Sequence, residues 1–104
     1  MESKKVKITY EEFQRLTKLI VITLQDFEKE QGLESASQAD IVNRLVQKIE
    51  VEEGSGGTSI ERTIDTSKKI QNVIQHLITK ENVLIVTQDS KNKNERLLCL
   101  NVNN

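Results

Sequence analysis

One cysteine and one histidine are all that this 104-residue chain holds of two side chains much used in nucleophilic and metal chemistry. Cys99, in the apolar run "LLCLNV", has no second cysteine for an intramolecular disulfide, which fits a reduced, intracellular setting. His76 lies on a different predicted element, and both residues have apolar neighbours. No Ser-His-Asp set and no zinc-type Cys/His spacing emerges, so the reading includes no catalytic residue, no metal ligand and no cofactor. The expectation is a helix-surface or boundary position for His76 and a small core position for Cys99. Long hydrophobic runs are missing too. "LIVITL" (Leu19 to Leu24) is the longest, against roughly 20 residues for a membrane span, and no signal-peptide pattern opens the chain. Nor is one sign of charge in excess. Fifteen Lys and Arg face sixteen Asp and Glu, a net charge of -1, so any electrostatic function must be local.

What is present is helical periodicity. "TYEE" (Thr9 to Glu12) has the Thr-x-x-Glu form of a capping box. After it, Phe13, Leu16, Ile20, Leu24 and Phe27 recur at three- and four-residue steps, and Val21 and Ile22 widen the stripe, so this helix should be buried on more than one side. Gly32 is a left-handed stop for it. Residues 1-5 read as a loose tail, and "KVKI" (Lys5 to Ile8) as a brief strand. Ser35 or Ser37 caps a second helix with Ile41, Val42, Leu45, Val46 and Ile49 facing inward. Residues 51-59, with Gly54-Ser55-Gly56-Gly57, form a flexible loop. Its "GSGGTS" lacks the Lys-Ser/Thr ending and the preceding strand of a phosphate loop. A third helix runs from about Ser59 to Thr79. Asn82 to Thr87 and Arg96 to Val102 are short, strand-forming runs on either side of a polar turn at 88-95. Three helices and a hairpin make one α+β domain of winged-helix type, spanning 1-104.

The stretch "KIEVEEGSGGTSIERTID" raises the functional question. Glu61 and Asp65, near a helix start, suit the positive end of its dipole. Glu50, Glu52 and Glu53 oppose the negative end of theirs, at a cost of a few tenths to roughly 1 kcal/mol each. Residues that work against local stability are candidates for a role elsewhere. Folded together, these acids beside exposed Val51 and Ile64 would make a negative patch for a basic amphipathic segment of a partner protein. A plainer reading is that they keep a loop soluble. Both stand at this point.

A winged helix can also place its third helix in the major groove. The cations for that are Lys68, Lys69, Lys91, Lys93 and Arg96, with Arg62 and Lys80 beside them. Glu61 and Asp65 stand where phosphates would approach, and Lys68 and Lys69 have the simpler reading of a solvated helix face. Weak, salt-sensitive phosphate contact without base reading is the DNA-binding alternative.

Three segments, "VKITYEEFQRLTKLIVITLQDFEKEQ", "QADIVNRLVQKIE" and "KKIQNVIQHLITKENVLIV", resemble the C-terminal winged-helix domain of subunit six of the minichromosome maintenance (MCM) replicative helicase. The similarity runs from Val6 to about Val86. It implies a nuclear protein of replication licensing, part of a hexameric DNA helicase whose ATP-binding motor lies ahead of this domain. The isolated domain should therefore hydrolyse nothing and be monomeric. It should meet other MCM subunits through the parent hexamer, touch DNA weakly or indirectly, and have no membrane association. The resemblance implies a partner as well: the basic C-terminal segment of the replication licensing factor Cdt1. The family's glutamate at the end of the second helix falls on Glu50. Its acidic and apolar residues at the start of the third helix have Glu61 and Ile64 as nearest equivalents. The longer glycine-rich loop leaves Ile60 competing with Ile64. A role in gating helicase loading is compatible with all of this.

Overall fold

The computed structural model describes the backbone over residues 8-52 and 60-101, and side chains over 8-51 and 63-101. Helix α1 (Tyr10–Gln31) begins where the sequence pattern places it. The Glu12 amide donates to Thr9 Oγ1 at 3.1 Å and the Thr9 amide to Glu12 Oε1 at 3.2 Å, closing the reciprocal cap. It ends on Gly32, whose φ of 68° is the left-handed conformation and whose amide donates to the Glu28 carbonyl. Leu16, Leu19, Ile20, Leu24 and Phe27 form its buried stripe. The stripe is narrower than expected: Ile22 is 40% exposed. Thr23 is buried in its stead, its hydroxyl satisfied by the Leu19 carbonyl at 2.7 Å.

Strand β1 (Ala36–Ser37) comes next, and helix α2 (Gln38–Glu52) follows it directly. Of the two candidate caps, Ser37 Oγ accepts from the Asp40 amide at 3.1 Å, while the Ser35 hydroxyl accepts from Thr87 at 3.0 Å. Helix α2 reaches Glu52, so Val51 and Glu52 are helical rather than loop; the glycines at 54-57 lie outside the described residues. Helix α3 spans Ile60–Thr79. Asn82, with φ 54°, turns the chain into strand β2 (Leu84–Gln88). A single 3-10 turn (Lys93–Glu95) and strand β3 (Leu97–Leu100) complete the wing. The strands lie in the antiparallel order β1-β3-β2, with Leu98 opposite both Ala36 and Val86 and an irregularity between Val86 and Gln88. The brief strand expected at Lys5 to Ile8 falls outside the described residues except for Ile8, which is not in a strand.

Three helices and the sheet converge on one core. Ile20 from α1, Ile41 and Leu45 from α2, Ile70 and Ile74 from α3, and Leu98 from β3 have no measurable exposure. Truncating such a residue to alanine typically costs ~2-5 kcal/mol. The fold is α+β, of the winged-helix kind expected from the order of its elements. Two expectations change with it. Cys99 is half-buried rather than in the core. Arg96 is not a wing-tip cation: it is 7% exposed, its Nε donating to Gln38 Oε1 at 2.8 Å and its Nη2 to Gln75 Oε1 at 3.0 Å. A guanidinium clamped between α2 and α3 is withdrawn from any phosphate on the outside.

Candidate functional site

Helix α2 ends in glutamates with no basic residue in its last turn. Compensation comes from the next element. The Thr63 hydroxyl, one turn into α3, donates to Glu50 Oε1 at 3.0 Å. The carboxylate that opposes its own helix dipole thus sits at the positive end of its neighbour's, where a negative charge is favoured. Glu50 is half-buried in this junction. Its position therefore has a structural reason that the sequence pattern of α2 does not contain.

Two apolar side chains near the junction in sequence are exposed, Val51 at a cleft with Thr23, Asp26, Arg44, Gln47 and Lys48 on the α1–α2 side and Ile64 on α3. Val51 is 79% exposed and Ile64 is 48% exposed. Neither is explained by the core, and a helix-end valine left almost wholly in water is the kind of anchor a docking segment can cover. Glu52, Ile60 and Glu61 belong to α2 and α3 by backbone, but their side chains lie outside the described residues, as does all of Glu53. Of the six residues expected to receive a partner, Glu50 and Ile64 are the two whose side chains are described. The first is held against the start of the helix that carries the second.

Between α1, α2 and α3 lies a cavity of about 270 Å³. Leu16, Ile49 and Thr66 line it together with four charged residues, Glu12, Arg15, Asp65 and Lys69. Lys69 Nζ lies 2.9 Å from Glu12 Oε2 and 3.9 Å from Asp65 Oδ2. The Lys69 hydrogen bond, followed by the Thr9 amide bond, holds the Glu12 carboxyl below its usual pKa range. Capping α1 and strapping it to α3 are therefore functions of one carboxylate. Only the Asp65–Lys69 spacing of four residues is visible in sequence; the Glu12–Lys69 contact joins residues 57 apart and has no local signature.

Of the five candidate cations for DNA contact, three are exposed on the surface. Lys68, Lys91 and Lys93 are exposed. Lys69 is engaged by Glu12 and Asp65, and Arg96 is buried. His76, on the exposed side of α3, packs edge-on against Phe13 with ring centroids 5.0 Å apart and lies 3.7 Å from Glu81. Among the described residues no group of three or more His, Cys, Asp or Glu is arranged to hold a metal ion, and no helix is long and apolar enough to cross a membrane.

No curated protein sequence matches the chain. The family of the MCM6 C-terminal winged-helix domain does, over residues 4–101. That covers nearly all of the chain, and the fold just described is the family's own: three helices with a small antiparallel sheet. The chain belongs to the MCM6 C-terminal winged-helix domain family, and is thereby a non-catalytic domain of an MCM replicative helicase subunit, associated with other MCM subunits in DNA replication.

Proposed function

We propose that this domain is a protein-docking module of the helicase subunit, receiving the basic C-terminal segment of the licensing factor Cdt1 in the nucleus while the helicase is loaded at origins. The docking surface is the junction where α2 ends and α3 begins. Glu50 and Asp65 supply negative charge, Val51 and Ile64 supply apolar anchors, and Glu52, Glu53, Ile60 and Glu61 belong to the same stretch of chain. The observation that carries this reading is Val51: 79% exposed at the end of a helix, next in sequence to a carboxylate fixed by Thr63. A carboxylate pinned in place meets an incoming Lys or Arg with little further ordering cost, and an adjacent apolar side chain gives the complex residence time.

Titration of the isotopically labelled domain with the Cdt1 segment tests it. Chemical shifts should move at Glu50, Val51, Thr63 and Ile64, and binding should weaken steeply with salt, since exposed charges are screened over about 8 Å at physiological ionic strength. Glu50→Lys should weaken binding about tenfold or more, through like-charge repulsion. It should also lose the Thr63 bond, a cost of about 1 kcal/mol that leaves the fold intact. A Glu50→Lys domain that binds the segment as tightly as the parent would exclude this surface.

A further inference from the structure

The cavity between α1, α2 and α3 is lined by basic as well as acidic side chains of the domain itself. Two carboxylates, Glu12 and Asp65, and two cations, Arg15 and Lys69, line it over a floor that includes Leu16 and Ile49. Its volume of about 270 Å³ falls below the roughly 300-1,000 Å³ usual for small-molecule sites, and suits a single long side chain instead. Ile49 precedes Glu50 on α2 and Asp65 follows Ile64 on α3, so the cavity is built on the same helix turns as the junction. A floor that includes Leu16 and Ile49, acids from two helices and a lysine reaching between them is the arrangement a cationic side chain from another chain would meet.

We infer that Lys69 is an internal competitor for the docking surface: its ammonium neutralises Asp65 and Glu12 in the free domain, and the Lys or Arg of a docking basic segment displaces it from Asp65 to complete the bound state. This rests on the docking reading above and adds a regulatory residue to it. The two contacts of Lys69 are unequal, 2.9 Å to Glu12 and 3.9 Å to Asp65. The ammonium can give up the longer contact and keep the shorter. Asp65, with a side chain 57% exposed, is the acid within reach of a partner; Glu12, at 39%, is the anchor that retains the lysine. The direction of the effect follows from the charge count. With Lys69 in place the four groups balance, two of each sign. Without its charge the cavity is negative by one, and its attraction for a cation rises.

Opposite outcomes are therefore expected from two neighbouring substitutions. Lys69→Met keeps most of the aliphatic stem and removes the charge. It should tighten binding of the basic segment about two- to fivefold, the range of one partly exposed charge pair. Glu12→Gln removes the anchor, leaves the lysine to Asp65 alone and should weaken binding by a similar factor. Asp65→Asn should abolish the gain from Lys69→Met when the two are combined. Binding is measured by calorimetry on the 104-residue chain with the basic segment as titrant, with the amide spectrum of each variant recorded to confirm the native fold. A Lys69→Met domain that is folded but binds no tighter than the parent overturns the inference, as does a Glu12→Gln domain that binds no more weakly. Glu50→Lys separates the two levels. If the parent binds, Glu50→Lys weakens it and Lys69→Met has no effect, the surface stands and the competitor falls; if Glu50→Lys is indifferent, the surface itself falls.

Discussion

Arg96 shows how much a single side chain's surroundings decide what it does. Its sequence neighbours are a polar turn and a strand, and a basic residue at that point reads as a wing-tip contact for phosphate. In the fold it is buried, its charge met by the side-chain carbonyls of Gln38 and Gln75. Both acceptors are neutral amides, and Gln38 is itself only 3% exposed. Since a buried polar group left unpaired costs about 1-3 kcal/mol, removing the guanidinium strands two acceptors at once. Arg96→Met should lower the unfolding free energy by about 2-4 kcal/mol, read as a shift of the urea midpoint, with no change in affinity for duplex DNA. No local pattern distinguishes Arg96 from Lys93, because what buries it lies 21 and 58 residues away. Glu50 teaches the same point in the other direction. Its conflict with the α2 dipole is legible in sequence, but the relief of that conflict by Thr63 is not.

Among the elements, the three helices were legible because each is encoded within its own length. Cap, stripe and stop of α1 are local signals, and all three are used. Helix α2 runs two residues beyond the end that the sequence pattern suggests, into acids that oppose its dipole, a penalty too small to stop it. Strand β1 was not legible at all. Two residues carry no periodicity, and Ala36 and Ser37 are a strand only because Leu98 and Leu97 lie opposite them. The Glu12–Lys69 strap is also a matter of elements, tying the first turn of α1 to the middle of α3. Its pH dependence has a definite sign. The Glu12 carboxyl has a folded pKa below its ordinary value of 4.5. Its contribution to stability is therefore complete above that value and is lost as pH falls through the depressed folded pKa. Glu12→Gln should accordingly be less stable than the parent near neutrality and approach it as pH falls through the depressed pKa of Glu12, in thermal melts recorded from neutral to acid pH. Asp65 and Arg15 share the cavity with this pair. Both are unchanged in sequence between the two proteins, but Glu12→Gln leaves Lys69 to Asp65 alone, so the difference between the profiles reports the Glu12–Lys69–Asp65 group.

On the scale of the whole molecule, the balance of charge is global but not local. The net charge of -1 leaves no long-range field to draw the domain to DNA. Of the five cations considered for DNA contact, three stay available on two elements, Lys68 on α3 and Lys91 and Lys93 at the wing, with Asp89 and Glu95 exposed among the latter. DNA affinity scales with the number of phosphates neutralised, each adding about 0.9 to the slope of log affinity against log salt. Three scattered lysines support a slope no steeper than about 3 and binding at the weak end of the nonspecific range, about 10⁻⁴ M at physiological salt. The same salt should leave a measurable share of the peptide affinity, because Val51 and Ile64 are apolar and their burial is not screened. Fluorescence anisotropy with a labelled duplex and a labelled basic segment, each followed from low to physiological salt, separates the two surfaces. Duplex binding should vanish first and respond to Lys91→Gln with Lys93→Gln, while segment binding persists and ignores that pair. Duplex affinity that survived physiological salt and exceeded segment affinity would move the working surface of this domain from the helix junction to the wing.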